Sequence, residues 1–307
     1  MSERTPIDLS GTFLPVNTPF DPTTGDVDIV AYRANLSQWF EHPISGILTA
    51  GSTGESVYLD DEERRTLVAV GRDVAPEGRL VIAGTGSEST RHTIRLTRQA
   101  ADAGADAVLV SPPAFFKGAM TPAAITTHFT AVADASPVPV MIYQVPLRLS
   151  TLEFSTELIV ALAQHPNIVG LKDSRGSLEL TAEWVEACPD DFQVLVGSGA
   201  ILEPALAAGA TGGIVAVGLM APADAARISV AFDEGLKDEA ARLQEKIAPV
   251  HQQIVGGMGV PGVKAALDLL GMHGGDPRPP LSPAPAERVD EIRGILGAAD
   301  LLTTADV

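Results

Sequence analysis

Eight short apolar runs, each followed by a helix-like segment, occupy the first three quarters of the chain, and this alternation constrains the fold more than any other feature. Seven of the eight runs show no polar alternation, as expected for parallel strands that are covered on both faces. The runs are TFLPV from Thr12, GILTA from Gly46, LVIAG from Leu80, AVLVS from Ala107, VPVMIY from Val138, NIVGLK from Asn167, QVLVG from Gln193 and GGIVAV from Gly212.

The segments between these runs carry signals that start and stop helices. DDEERRTLVAV has acids in its first turn, where they interact favourably with the helix dipole, and STRHTIRLTRQAADAGA begins on Ser and Thr and stops near Gly104. Repeated strand–helix units predict a parallel α/β sheet, and eight of them predict a closed (β/α)8 barrel. An open, doubly wound sheet is the structural alternative.

The chain after the eighth run has a different pattern. The predicted barrel spans residues 1–235, and residues 236–307 contain helical patterns such as DEAARLQEKIAPVHQQIV and GVPGVKAALDLLG, a Pro-rich break and a last helix, AERVDEIRGILGAAD. Since this part has no strand units, it is predicted to be a C-terminal helical extension packed on the barrel.

Charge and cysteine content exclude some classes of partner and favour one compartment. The 307 residues include 39 acidic and 21 basic side chains, a net charge of −18, which argues against nucleic acid as a partner. Cys188 is the only cysteine, so no internal disulfide forms, and this fits a reducing cytoplasm. The N-terminus lacks the pattern of a signal peptide and no apolar run reaches the length of a membrane span. The sequence predicts a soluble cytoplasmic protein without a membrane partner.

Two reactive side chains end neighbouring runs, at the edge of the barrel where active sites lie. Tyr143 ends the fifth run and Lys172 ends the sixth. Of the five lysines only Lys172 ends a buried run; Lys117 lies in a loop, and Lys237, Lys246 and Lys264 fall in helical patterns that need no special account.

A buried lysine next to a phenol has a specific chemistry. Burial lowers the pKa of an amine and prepares it to form a Schiff base with a carbonyl group, while a phenol can carry protons to and from the carbinolamine. The structural alternatives are an ion pair between Lys172 and Asp173 and a core role for Tyr143. The presence of both residues on adjacent strands favours the catalytic interpretation.

Other motifs add a carboxylate site and no metal site. The loop GSTGES, residues 51–56, offers backbone amides and hydroxyls that can surround a carboxylate, although an ordinary turn is the alternative. AGTGSES, residues 83–89, lacks the third glycine of a dinucleotide fingerprint and the lysine of a P-loop, so it is predicted to be a turn and helix cap. The six histidines show no paired ligand spacing, and Cys188 has no basic neighbour that would activate it.

Together these motifs resemble the dihydrodipicolinate synthase/N-acetylneuraminate lyase family of class I aldolases. The resemblance runs from GTFLPVNTPF near residue 11 to GVPGVKAALDLLG near residue 271 and rests on GSTGES, YQVP, GLKDS and GGIVAV in the family's order. It implies a Schiff base between Lys172 and pyruvate, no metal or organic cofactor, and a homotetramer built from dimers.

The resemblance also implies roles for further residues. Tyr143 would be the proton relay, and Ser52 and Thr53 would hold the pyruvate carboxylate and join the relay. Gly51, in the same loop, is predicted to belong to the carboxylate site. The backbone carbonyl of Val215 would face the imine. A separate match is Arg148 in YQVPLRLS, which corresponds to the synthase arginine that grips the second substrate's carboxylate.

One departure from the family's pattern affects the choice of reaction. SPPAFFKGAM places Ala114 and Phe115 where the family commonly has paired tyrosines, one of which reaches a neighbouring subunit's site. Because phenylalanine cannot relay a proton, and because HPNIVGLKDS and GVPGVK look closer to 4-hydroxy-2-oxoglutarate aldolases, a pyruvate-dependent aldolase of hydroxylated 2-oxo acids is favoured. The partner would be an aldehyde or a 2-oxo acid.

Four alternatives stay open from the sequence. Dihydrodipicolinate synthase chemistry, with aspartate semialdehyde as the second substrate, is the nearest. Sugar-acid dehydratase and sialic-acid lyase reactions use the same imine. A non-catalytic barrel that binds 2-oxo acids is the alternative of another class.

Overall fold

The computed structural model describes residues 6–150 and 152–302, and its central feature is a closed barrel of eight parallel strands in sequential order. This confirms the (β/α)8 prediction and excludes the open sheet. The strands are β1 (Gly11–Pro15), β2 (Gly46–Thr49), β3 (Leu80–Gly84), β4 (Ala107–Val110), β5 (Val140–Gln144), β6 (Ile168–Asp173), β7 (Gln193–Val196) and β8 (Gly212–Ile214).

A helix follows each strand, and further helices complete the C-terminal part. Ser89 begins the helix after β3 by accepting a hydrogen bond from the His92 amide, which confirms the predicted cap. The helices are α1 (Ile29–Trp39), α2 (Asp61–Val74), α3 (Thr90–Asp102), α4 (Pro122–Ala135), α5 (Thr156–Leu162), α6 (Leu178–Ala187), α7 (Leu202–Ala207), α8 (Pro222–Asp233), α9 (Lys237–Val250), α10 (Gly259–Leu269) and α11 (Ala286–Ala298).

Apolar side chains form two cores, as in any barrel whose strands are covered on both faces. One fills the barrel interior and includes Phe13, Leu48, Met141 and Leu195. The other lies between the strands and the surrounding helices. Tyr143 belongs to the interior core, so its side chain lies inside the barrel and does not face the surrounding helices.

Seven of the eight strands end at a different residue from the predicted run, six of them by a single residue, and three of these differences lie at or near the site. β5 continues one residue beyond Tyr143, and β6 continues one residue beyond Lys172. β8 ends at Ile214, three residues before the end of the predicted run, because the chain then turns into a 3-10 helix over Ala216–Leu219. The predicted apolar run GGIVAV therefore includes both a strand and the turn that follows it.

A bulge in β6 sets the alignment of the two predicted catalytic residues. Val140 pairs with Ile168 but Met141 pairs with Gly170, so Val169 is an extra residue in the ladder. Beyond it, Tyr143 pairs directly with Lys172. Without the extra residue, Tyr143 would stand opposite Leu171, whose side chain lies in the outer core. Bulges of this kind are common beside active sites, where they re-aim a side chain.

The C-terminal part of the chain is hydrogen-bonded to the barrel at the C-terminal ends of the strands. The Asn17 side chain, after β1, donates to the carbonyls of His273 and Gly274, and the Asn35 side chain donates to His273 from α1. The exact division of the chain at residue 235 stays a prediction. None of the described helices combines the length and hydropathy that a membrane crossing would need.

Close strand packing gives a stability prediction. A Cβ on Gly46 would lie 2.1 Å from the Leu80 carbonyl oxygen on the adjacent strand, which is backbone and cannot rotate away. We expect Gly46→Ala to lower the free energy of unfolding by about 3 kcal/mol through overpacking.

Gly294, exposed in α11 with open space around its Cα, is the control. Gly294→Ala should raise the stability by about 0.5–1 kcal/mol because alanine favours the helix. Urea unfolding measures both changes, and an undiminished stability of Gly46→Ala would contradict the packing.

Candidate active site

Lys172 is a buried amine at the loop end of the barrel. Its side chain is 5% exposed, and Nζ lies 4.9 Å from the centroid of the Tyr143 ring. Burial penalises the ammonium form and lowers the pKa of Lys172 from 10.5 to about 7. A large fraction of the amine is therefore neutral at physiological pH, which is the form that attacks a carbonyl group.

Lys172 does not form the ion pair with Asp173 that was the structural alternative for this lysine. Asp173 Oδ1 instead accepts hydrogen bonds from the backbone and side chain of Arg175, at 3.0 and 3.1 Å. Among the described residues, no carboxylate lies within ion-pair distance of Lys172. Gly197 of the next loop leaves room for the lysine, since a Cβ there would lie 2.9 Å from Lys172 Cε.

The Tyr143 phenol lies between two serine hydroxyls. Its oxygen is 3.4 Å from Ser52 Oγ, and the Ser174 side chain lies close enough to lower the pKa of the phenol. Burial raises the pKa of Tyr143, while both serines and the positive charge of Arg148 act in the opposite direction. At neutral pH the phenol therefore keeps its proton, and a protonated hydroxyl between two others can both donate and accept one.

The loop GSTGES forms a compact turn beside this phenol. Gly51, Ser52 and Thr53 all line the cavity above the barrel. The turn closes on itself, because the Glu55 amide donates to the Ser52 carbonyl and the Ser56 amide donates to the Gly51 carbonyl, both at 3.2 Å. The hydroxyl and amide groups of the turn are uncharged hydrogen-bond donors, and such groups can together bind a carboxylate.

A cavity of about 430 Å³ opens above Tyr143 toward the loops after β2, β3, β4 and β5. This volume is enough for a small acid of several carbons, and the walls mix hydroxyls with apolar groups. Ser111, Ser150, Arg148 and Glu88 lie on the walls. The loop residues thus surround a polar space whose floor carries the phenol.

Arg148 is held by backbone carbonyls at the edge of the cavity. Its guanidinium donates to the carbonyl oxygens of Val255 and Gly256 at 3.3 and 3.0 Å. These carbonyls belong to a π-helical turn, His251–Gly256, that continues α9. The planar guanidinium has five N–H donors, so these two contacts leave others free to meet an anion in the cavity.

Val215 does not lie among the residues that line the cavity. It is fully buried directly after β8, and its carbonyl accepts a hydrogen bond from the Gly218 amide at 3.1 Å. Its side chain packs in the outer core. That this carbonyl faces the imine stays a prediction.

The two residues that replace the family's tyrosines lie in different surroundings. Ala114 lines the cavity, whereas Phe115 is 78% exposed and packs edge-on against Phe116. The Glu88 carboxylate accepts hydrogen bonds from the amides of Ala114 and Phe115, and it holds this loop against the cavity wall.

Sequence reasoning missed two features of the site. The motif GLKDS contains Ser174, and its position two residues beyond Lys172 is the signal that could have indicated its place beside Tyr143. The prediction that Lys264 needs no special account is wrong. Its side chain is 1% exposed and its Nζ lies 2.7 Å from Glu55 Oε1. Within the described parts of the chain, no group of three or more His, Cys, Asp or Glu side chains is arranged to hold a metal ion.

Comparison with known proteins identifies the family of the chain. Residues 8–299 match the model of the dihydrodipicolinate synthetase family. The chain belongs to this family. Membership in the dihydrodipicolinate synthetase family makes it a lyase of the aldolase type, which confirms the predicted family and enzyme class.

Named relatives of the family carry two different activities. The chain is 35% identical over 276 residues to a protein of Emericella nidulans named "Probable 4-hydroxy-2-oxoglutarate aldolase, mitochondrial", and the match covers 89% of each chain. It is 36% identical over 264 residues to the 4-hydroxy-tetrahydrodipicolinate synthase of Exiguobacterium sibiricum, covering 86% of this chain and 89% of the relative.

Solved structures of the family are also similar. The dihydrodipicolinate synthase of Acinetobacter baumannii, complexed with pyruvate, superposes with a TM-score of 0.90 at 29% identity, covering 96% of this chain and all of the other. A prophage protein of Escherichia coli K12 from the same family, also in complex with pyruvate, has a TM-score of 0.89 at 28% identity and covers 95% and 99%.

The lowered pKa of Lys172 predicts a pH-dependent stability difference. Between pH 7 and 10.5 the unfolded chain holds a proton at this lysine that the folded chain has largely lost, so the lysine's cost to stability falls as the pH rises. Lys172→Met removes this cost. We expect the variant to be more stable than the wild type by up to about 4 kcal/mol near pH 7 and by progressively less toward pH 10. Denaturant titrations from pH 6.5 to 9.5 measure the difference, and a difference independent of pH would contradict the assignment.

Proposed function

We propose that the protein is a pyruvate-dependent class I aldolase that makes or breaks a carbon–carbon bond of a hydroxylated 2-oxo acid through a Schiff base on Lys172. The observation that carries this proposal is the buried amine of Lys172 beside the Tyr143 phenol. An amine with a pKa of about 7 is partly neutral under cellular conditions, and nucleophilic lysines are activated in this way.

Imine formation uses groups that the site holds in place. The neutral amine of Lys172 attacks C2 of pyruvate to form a carbinolamine, and loss of water from C2 then gives the protonated imine. The Tyr143 hydroxyl moves the proton between the amine and the departing oxygen, and Ser52 and Ser174 lie beside it to stabilise each state. Ser52, Thr53 and Gly51 bind the carboxylate of pyruvate.

The imine then serves as the electron acceptor for bond cleavage. In the cleavage direction, Lys172 forms the same imine with C2 of the hydroxylated 2-oxo acid. Removal of the proton from the C4 hydroxyl of this acid then converts C4 into a carbonyl carbon as the C3–C4 bond breaks, and the electron pair of that bond moves into the imine to give an enamine. An aldehyde leaves, and protonation of C3 followed by hydrolysis of the imine releases pyruvate. The reverse sequence joins pyruvate and the aldehyde, and neither direction needs an oxidant or a reductant.

The shape of the cavity favours an acid or a short hydroxylated chain as the second part of the substrate. Arg148, Ser111 and Ser150 line the cavity together with Tyr143 and so offer a cation and hydroxyls to the part of the substrate beyond C4. These groups suit 4-hydroxy-2-oxoglutarate or a 2-keto-3-deoxy sugar acid, and the name of the Emericella nidulans relative agrees with the first.

Dihydrodipicolinate synthase chemistry is the second candidate. The same arginine suits the carboxylate of aspartate semialdehyde, and several relatives carry the name 4-hydroxy-tetrahydrodipicolinate synthase. Against it, Phe115 has no hydroxyl with which to extend a proton relay, whichever subunit it faces. The aldolase is therefore the first proposal.

Assembly and location follow as further proposals. Exposed apolar side chains around the cavity rim, including Val57, Phe115, Phe116 and Leu149, fit a contact between subunits of the expected homotetramer. One similar structure is described as that of a monomeric dihydrodipicolinate synthase variant. A cytoplasmic location stays a prediction, and one relative is named as mitochondrial.

Borohydride reduction in the presence of pyruvate tests the imine directly. We expect intact-mass analysis to show one pyruvyl adduct per chain and peptide mapping to place it on Lys172, because reduction fixes the imine as a secondary amine. Lys172→Ala should give no adduct. A well-folded wild type that gains thermal stability from pyruvate but yields no adduct would instead support the non-catalytic binding protein.

The proton relay has its own test. Tyr143→Phe keeps the ring over the lysine and removes the hydroxyl, so we expect the rate of imine formation to fall by about 100-fold or more. Ser174→Ala, which removes one neighbour of the phenol, should lower it by a smaller factor. Stopped-flow trapping at saturating pyruvate measures both rates. An unchanged rate in Tyr143→Phe would remove the phenol from the mechanism.

The role of Arg148 separates classes of second substrate. Arg148→Ala should raise the KM for a substrate with a distal carboxylate by roughly 10- to 100-fold, since a charge-assisted hydrogen bond is lost. The KM for a neutral short aldehyde should stay within about twofold, because no such bond forms. Comparison of glyoxylate, aspartate semialdehyde and glyceraldehyde as acceptors decides among the proposed reactions. Equal effects on charged and neutral acceptors would show that Arg148 only supports the loop.

A further inference from the structure

A second buried lysine lies behind the carboxylate-binding loop and is not used by the proposed chemistry. Lys264, on α10, is 1% exposed, and its Nζ is 2.7 Å from Glu55 Oε1, whose side chain is completely buried. The same Nζ donates to the Asp276 carbonyl at 2.9 Å and lies 4.5 Å from the centroid of the Phe20 ring. The ammonium group thus has an ion-pair partner, a carbonyl acceptor and an aromatic face around it.

Glu55 connects this lysine to the loop that is proposed to bind pyruvate. Glu55 has a left-handed backbone with a φ of 57°, a conformation that a non-glycine residue adopts only where its surroundings hold it. Its backbone amide donates to the Ser52 carbonyl, so any shift of Glu55 is passed to Ser52 through the turn. Its second carboxylate oxygen accepts the Arg278 amide at 2.8 Å.

The surroundings of the ion pair come from distant parts of the chain and close over it. The Arg278 guanidinium forms two hydrogen bonds to Glu63 on α2 and lies 4.2 Å from the Phe20 ring. Lys264 and Glu55 are therefore enclosed between the loop after β2 and the segment that follows α10. If one member of this enclosed ion pair is removed, the charge of the other member stays buried without a new partner, which is costly.

We infer that Glu55 and Lys264 are positioning residues for the pyruvate carboxylate: their ion pair anchors the GSTGES turn from behind and holds Ser52 and Thr53 in the binding geometry. This inference rests on the proposed function. It assigns the C-terminal extension a part in the site, since α10 supplies the cation that sets the position of a loop from the second strand–helix unit.

Substitutions at the pair should change the affinity for pyruvate more than the chemistry. In Glu55→Gln, one amide cannot accept from both Lys264 and the Arg278 amide, so the turn shifts. In Lys264→Met, the carboxylate of Glu55 loses its cation. For each variant, the pyruvate concentration that half-saturates formation of the borohydride-trapped adduct should rise at least tenfold, while the amount of adduct at saturating pyruvate stays within twofold of the wild type.

A matched control and a double variant separate positioning from general stability. Asp106, at the opposite end of the barrel before β4, pairs with Arg72 at 3.1 Å. Asp106→Asn should lower the melting temperature and leave the half-saturating pyruvate concentration unchanged. The combined Glu55→Gln/Lys264→Met variant removes both charges, so its shift should be smaller than the product of the single shifts.

The outcomes distinguish this inference from the proposed function. A wild type without adduct refutes the proposed function and leaves nothing for the pair to position. A wild type with adduct, together with folded single variants that half-saturate at the wild-type concentration, overturns the inference alone, and so does an equal shift in Asp106→Asn. If the single variants do not fold, Glu55→Asp keeps the charge and withdraws the carboxylate by one methylene. It should raise the half-saturating concentration at least threefold, and no change would also overturn the inference.

Discussion

The free energy cost of holding an ammonium group in the barrel mouth is the constraint on which the rest of this site depends. Burial favours the neutral amine of Lys172, and the residues around it preserve that condition. Asp173, the nearest carboxylate in sequence, pairs with Arg175 instead, and Gly197 admits the side chain closely without adding a polar partner. A carboxylate at hydrogen-bond distance would raise the pKa again and leave the amine protonated at neutral pH.

The two buried lysines, Lys172 and Lys264, differ in the groups that surround Nζ. Lys264 has a carboxylate, a carbonyl and an aromatic face around its Nζ, so its charge is compensated and its position is well defined. Lys172 has a phenol and hydroxyls nearby and no such compensation among the described residues. Burial lowers the pKa of both, but Glu55 opposes the change at Lys264. Partner chemistry, and not burial alone, separates a structural lysine from a nucleophilic one.

The sequence predicted the barrel and the meeting of Tyr143 with Lys172, because both follow from local patterns and from the convergence of strand ends. It also placed Ser52, Thr53 and Arg148 on the same side of the molecule. It did not predict the pairing of Glu55 with Lys264, whose positions are separated by most of the barrel, because residue types in a helix do not reveal a distant partner. The hydrogen bonds from Arg148 to backbone carbonyls could not be predicted either, because every residue has a backbone carbonyl and the sequence of side chains does not indicate which one is used.

The extra residue at Val169 has a consequence for how such sites tolerate change in length. Register in a strand pair usually passes from one end to the other, so an insertion near the bottom of the barrel would displace every pair above it. In β5 and β6 the offset is taken up at Val169, and the alignment above it depends on the pairs from Met141 with Gly170 onward. Between the pair of Val140 with Ile168 and the pair of Tyr143 with Lys172, β6 therefore uses one residue more than β5. Regular pairing of β6 from Ile168 onward, without the bulge, would bring Leu171 opposite Tyr143, so the geometry of the reaction depends on an unequal number of residues in the two strands beneath it.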